Sequence, residues 1–115
     1  MATQTTLETL FGGQAAAKVL LFIENYGEGY ASAIARTFEM PVSEVQKQLK
    51  KFEESGILVG RTVGTSRMFT WNPRDLALDG LRQLLKSTLD YGIPADRLEK
   101  YFRQRRRPRR KGKPL

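Results

Sequence analysis

The stretch from Tyr30 to Leu58 narrows the fold most, because two short amphipathic helical patterns follow one another there across a proline. In the first, Ala31, Ile34, Ala35 and Phe38 recur at helical spacing, and the small Ala33 and Ala35 let a neighbouring helix approach closely. Proline disfavours helical geometry in the residue before it and has no N–H for a continuing helix, so Glu39-Met40-Pro41 predicts a turn near residues 39–42. The second pattern opens with Ser43 and Gln46 at the spacing of a capping box. It places Val45, Leu49 and Phe52 on one face, until Gly56 supplies a C-terminal stop. Its other face carries Gln46, Lys47, Lys50 and Lys51, with Ser43 and Glu44 in the exposed first turn.

Two helices joined by a turn of this length describe a helix-turn-helix, whose second helix can enter a DNA major groove. A helix pair with a solvated lysine face also occurs in proteins that touch no nucleic acid, so the pair alone decides nothing. Two β-rich runs follow, residues 57–63 and 67–72, separated by Gly64-Thr65-Ser66 and closed by Pro73; they predict a hairpin. Helix, turn, helix and hairpin in that order resemble the winged helix-turn-helix transcriptional regulators of the ArsR and MarR type. The phrase SEVQKQLKKFEESGILVGRTVGTSRMFTWNP, residues 43–73, carries the resemblance: a serine-led helix, an acidic pair, a glycine and an aliphatic run into the wing. Phe52 stands where those families more usually have leucine, and Pro41 lies beside the turn.

The resemblance covers roughly residues 7–90. It implies a mainly α fold with a small β-hairpin, built as a three-helix core plus wing and extra C-terminal helix or helices. The function it implies is that of a sequence-specific DNA-binding transcriptional regulator, not an enzyme, with a recognition helix at about 43–55 and a wing at 57–72.

A chain of 115 residues with 40% hydrophobic and 28% charged residues is expected to form one globular domain. No run reaches the ~18–20 apolar residues of a membrane span, and no charged-then-apolar start suggests a secretory signal. A soluble, cytoplasmic protein is expected, nucleoid-associated in a prokaryote, with no membrane partner. The chain has no cysteine and no histidine, which excludes disulfides, thiolate metal sites and imidazole catalysis. Metal sensing by cysteine, which an ArsR resemblance could otherwise suggest, is ruled out. No acidic cluster at ligand spacing appears either, so no cofactor, metal or catalytic residue is expected.

The net charge of +8 is unevenly placed. Residues 97–115 hold ten basic residues and one acidic, Glu99, whereas residues 1–96 hold ten basic and eleven acidic. Bulk attraction to a polyanion is therefore a property of the tail, and a binding claim for the helix and hairpin must rest on local placement.

Residues 1–6 are expected to be a flexible N-terminus. Leu7, Leu10 and Phe11 suggest a short helix before Gly12-Gly13. From Gln14 to Tyr26, Ala15, Ala16, Val19, Leu20, Leu21, Phe22 and Ile23 give a helix apolar over a wide arc, which predicts a central position. Glycines 27 and 29 end it, and the resemblance implies that Tyr30 forms a brief strand against the wing. Asp75 to Leu89 predicts a strongly amphipathic helix with more apolar surface than one core absorbs: Leu76, Leu78, Leu81, Leu84, Leu85 and Leu89. The resemblance implies that such a helix packs on the first helix of a second subunit, giving a homodimer; the alternative is that it caps its own domain. Residues 91–102 are expected to break at Tyr91-Gly92-Ile93-Pro94 and form a short helix through Leu98, Tyr101 and Phe102, whose narrow apolar set needs a surface to rest on. Residues 103–115 are expected to be a disordered basic tail.

On these readings double-stranded DNA is the expected partner. Gln46 can offer its amide to adenine, Lys47 can donate to guanine, Ser43 can meet a phosphate or a base edge, and Lys50 lies one turn along the same face. Lys51 and Arg36, like Gln48, suit phosphates or plain solvation. Arg61 and Arg67 flank the hairpin tip, where they can clamp a phosphate or protect an edge strand by charge. Arg105, Arg106, Arg107, Arg109 and Arg110 of the tail would add salt-dependent, sequence-independent affinity. Two other function classes stay open: a sequence-nonspecific DNA- or RNA-binding accessory driven by the tail, and a protein-interaction winged helix. No small-molecule effector can be named from the residues. Val63, Phe69 and Trp71 are expected to help close the core.

Overall fold

The computed structural model describes residues 6–93 and 95–102. The fold is mainly helical with one small antiparallel sheet. In order the elements are α1 (Thr6–Phe11), α2 (Gln14–Tyr26), β1 (Gly29–Tyr30), α3 (Ala31–Phe38), α4 (Val42–Glu54), β2 (Leu58–Val63), β3 (Ser66–Trp71), α5 (Leu78–Ser87) and α6 (Ala95–Phe102). The sheet order is β1-β3-β2. Among the described residues no helix is long and apolar enough to cross a membrane.

Helix α2 is the centre, as its wide apolar arc predicts. Ala16, Ala17, Val19, Leu20, Leu21, Phe22 and Ile23 are all buried, and α1, α3, α4, α5 and the sheet pack around it. Phe38 at the end of α3 joins α2 to α6: its ring lies 6.4 Å from Phe22, 5.2 Å from Tyr101 and 5.7 Å from Phe102. This is the surface that the narrow apolar face of α6 needed. The Tyr26 hydroxyl also donates to the Tyr101 carbonyl at 3.0 Å, fixing the two helices end to end.

Helices α3 and α4 are separated by three residues. Glu39 takes a left-handed conformation (φ 57°), and the Met40 N–H returns to the Ala35 carbonyl at 2.9 Å, so a glycine-type helix stop is made here without glycine. The predicted capping box does not form. Helix α4 begins one residue before Ser43, with Pro41 as its cap and no side-chain cap bond. Proline needs no partner for a missing N–H, and its carbonyl accepts from Glu44 and Val45, so Ser43 lies inside the first turn, where its hydroxyl cannot cap. At the other end Gly56 (φ 85°) closes α4, as expected, and the Ile57 N–H bonds the Phe52 carbonyl at 2.9 Å. The Asn72 amide then donates to the Gly56 carbonyl at 2.8 Å, tying the base of the hairpin to the end of α4.

The hairpin turns through Gly64-Thr65 alone, with Val63 opposite Ser66 and positive φ at Gly64. Its tip is less buried than predicted: Phe69 joins the core and Trp71 packs against it, but Val63 is 39% exposed because β2 runs past the helices before it turns. Met68, not among the expected core residues, is buried instead. The register sets Gly60, Phe69 and Gly29 in one row across the sheet, and Arg61, Met68 and Tyr30 in the next, on the opposite face. A Cβ at Gly29 would lie 2.9 Å from the Phe22 ring, so this strand must carry glycine where α2 crosses it.

Helix α5 is shorter than its leucines predict. The Asp75 carboxylate accepts the Ala77 N–H at 3.1 Å and holds residues 75–77 in a turn, which leaves Leu76 outside the helix and 82% exposed. Leu78, Leu85 and Leu89 are buried. Past Ser87 the chain continues as one π-helical turn, Thr88–Gly92, and the helical backbone ends at the extended Ile93, within the expected break at residues 91–94; the Thr88 hydroxyl donates to the Leu84 carbonyl at 2.9 Å.

Candidate nucleic-acid interface

Every turn of α4 divides the same way. Val45, Leu49 and Phe52 are buried against α2 and α3, and Ser43, Gln46, Lys47, Lys50 and Lys51 are exposed. The Schellman closure at Gly56 and the Asn72 bond fix where the hairpin leaves α4. Between them runs an open groove of about 440 Å³. Gln46, Lys50 and Glu53 line its α4 side, Ser66, Arg67 and Phe69 its hairpin side, and Tyr30 with Ser32 its end.

The structure thus brings Gln46, Lys50 and Arg67 to one hollow. Ser43 and Lys47 lie on the open surface of α4 beside it, as does Lys51, whose ammonium sits 5.4 Å from the Phe52 ring. Arg36 is not with them; it projects from α3 into a second cleft. Arg105, Arg106, Arg107, Arg109 and Arg110 lie outside the described residues.

The two hairpin arginines are both engaged by carboxylates. The Arg67 guanidinium crosses over Gly60, where a Cβ would stand 2.6 Å from Nη2, and binds Glu53 of α4; it also lies 5.8 Å from the Phe69 ring. It therefore points along the sheet towards α4. Arg61 reaches Glu28, beyond Met68, at 3.7 Å. Both pairs are largely exposed, so each contributes little to stability and a phosphate can compete for the arginine. Among the described residues, Lys47 and Lys50 make no ion pair.

Sequence reasoning missed Glu53 and Glu28. A signal existed for Glu53: it stands four residues after Leu49, at the edge of the buried face, next to wherever the hairpin returns. Glu28 offered none, because its nearness to Arg61 depends on a three-strand register. Among the described residues no group of three or more acidic side chains could hold a metal ion.

Chemically, the exposed surface of α4 offers the Gln46 amide, the Ser43 hydroxyl and the ammonium groups of Lys47, Lys50 and Lys51, a set suited to base edges and phosphates. Comparison of the chain with protein-family models, with curated proteins and with solved structures gave no match.

Proposed function

We propose that the chain is a winged helix-turn-helix protein that reads double-stranded DNA, with α4 in the major groove and the β2–β3 hairpin as the wing. The observation that carries this reading is the division of α4: three side chains anchor it, and the face bearing Ser43, Gln46, Lys47 and Lys50 stays uncovered. The element order and the resemblance of residues 43–73 to ArsR- and MarR-type regulators support it further. A regulator of transcription, acting as a homodimer, is the form of the proposal. Leu10 of α1, 62% exposed, and Leu84 of α5 supply apolar surface for a second copy, and a two-fold pair would set two reading helices about one DNA turn apart.

The test is the double substitution Lys47→Ala, Lys50→Ala in the full chain, assayed on duplexes chosen by the wild type. The expected loss is about 1–3 kcal/mol for each good base contact. Unchanged binding with an unchanged unfolding midpoint would remove α4 as the reader.

One observation favours a second reading, a sequence-nonspecific nucleic-acid-binding accessory: positive charge is concentrated after residue 96, while the body is close to neutral. Deleting residues 103–115 separates the two. A sequence-selective footprint that survives at moderate salt supports the regulator; loss of all binding supports the accessory.

A further inference from the structure

We propose that the cleft between α3 and α6 is a nucleotide-binding site, distinct from the groove beside α4 although Tyr30 lines both. The cleft is about 560 Å³, within the range of small-molecule sites. Its walls are aromatic and its rim is charged. Tyr30 comes from β1, Tyr101 from α6 and Met68 from the middle of the sheet, while Arg36 of α3 and Lys100 of α6 bring two cations and Glu28, which Arg61 approaches at 3.7 Å, brings a carboxylate.

The walls are held by contacts independent of any ligand. Tyr101 is fixed by Phe38 at 5.2 Å and by the Tyr26 hydroxyl on its carbonyl; Tyr30 and Met68 are register partners. Among the described residues neither Arg36 nor Lys100 has a carboxylate partner. The Lys100 ammonium lies 5.2 Å from the Tyr101 ring centroid, and two cations lining one cleft repel and gain from a shared anion.

A purely apolar ligand leaves that repulsion in place, and inorganic phosphate leaves the aromatic walls unused. A nucleotide uses both. Its base stacks on tyrosine, a contact that tolerates any base, and its phosphate accepts from the guanidinium and the ammonium. Glu28 is placed to accept from a sugar hydroxyl or an exocyclic amine. The same chemistry is presented by a free mononucleotide and by an unpaired nucleotide at the end of a strand. The inference does not depend on how α4 meets a duplex.

The experiment uses the full chain carrying 13C-methyl methionine, titrated with AMP. Met68 lines the cleft wall, so its methyl resonance reports a stacked base, whereas binding at the basic tail leaves it still. The expected result is a saturable shift of Met68 with AMP, and binding at least about tenfold weaker for adenosine and for inorganic phosphate. In the Arg36→Gln, Lys100→Gln double variant the AMP affinity should fall about tenfold or more, the size of one lost charge-assisted contact, with the unfolding midpoint held because both side chains are exposed. A 5′-phosphorylated single strand of five thymidines gives the source: tighter binding than AMP at Met68 assigns a strand end, weaker binding a free nucleotide. AMP binding that leaves Met68 unmoved, or that the double variant retains in full, would overturn the proposal.

Discussion

Helix α4 and the β2–β3 hairpin both present cations, of which Lys50 and Arg67 share one groove, yet they hold them differently. On α4, Lys47 and Lys50 stand on a helix fixed from behind by Val45, Leu49 and Phe52. On the hairpin, Arg67 is bound to Glu53 and Arg61 to Glu28, and the strands that carry them are exposed over most of their outer length. The helix offers free charges on a rigid support; the hairpin offers engaged charges on a lightly packed one. Position and freedom are thus set by different residues, and a substitution can alter one without the other.

The largest test of this contrast is Leu49→Ala. Leu49 is 1% exposed beneath the lysine-bearing face, so its truncation should cost about 2–5 kcal/mol in denaturant unfolding. A cost below about 1 kcal/mol would show α4 to be as loosely held as the hairpin tip. Next comes Asn72→Ala, which removes the amide bond to the Gly56 carbonyl and the acceptor for the Arg74 N–H. A loss of about 1–2 kcal/mol is expected by the same measurement, with increased amide exchange at the hairpin base and little change in α4.

A gain is expected at the turn. Glu39 holds a left-handed backbone that costs a non-glycine residue about 1–2 kcal/mol, partly offset in glycine by its freer unfolded chain, so Glu39→Gly should stabilise by roughly 0.5–1 kcal/mol. An unfolding midpoint that falls would locate an unrecognised role for the carboxylate. Smallest is Glu53→Gln. The pair it breaks is exposed, so stability should move by less than about 1 kcal/mol, while release of Arg67 should strengthen duplex binding at low salt and less so at high salt. Weaker binding in that variant would mean that Glu53 orients Arg67 for its contact and does not hold it back.

These elements were not equally legible in the sequence. Helix α2 and the inward face of α4 could be read directly, because apolar spacing alone decides which side a long amphipathic helix buries. Tyr30 as a short strand was expected only from the resemblance to winged helices. The start of α4 was misread, since a capping-box spacing competed with Pro41, and a proline cap needs no side-chain bond. Leucine spacing likewise overstated α5, because a local bond from Asp75 outweighed the pattern at Leu76. What the sequence could not show were contacts between distant segments: Arg61 with Glu28, Arg67 across Gly60, and the meeting of Arg36, Lys100, Tyr30 and Tyr101 in one cleft. Each depends on strand register or on how α6 crosses α3, and no local spacing encodes either.

The most direct measurement of the central claim is selection of bound sequences from random duplexes by the full chain at moderate salt. Reading by the free face of α4 predicts a recovered motif of two-fold related half-sites about one helical turn apart, lost when Lys47 and Lys50 are both alanine. Recovery of duplexes with no common motif, or of the same motif by the alanine variant, would contradict it.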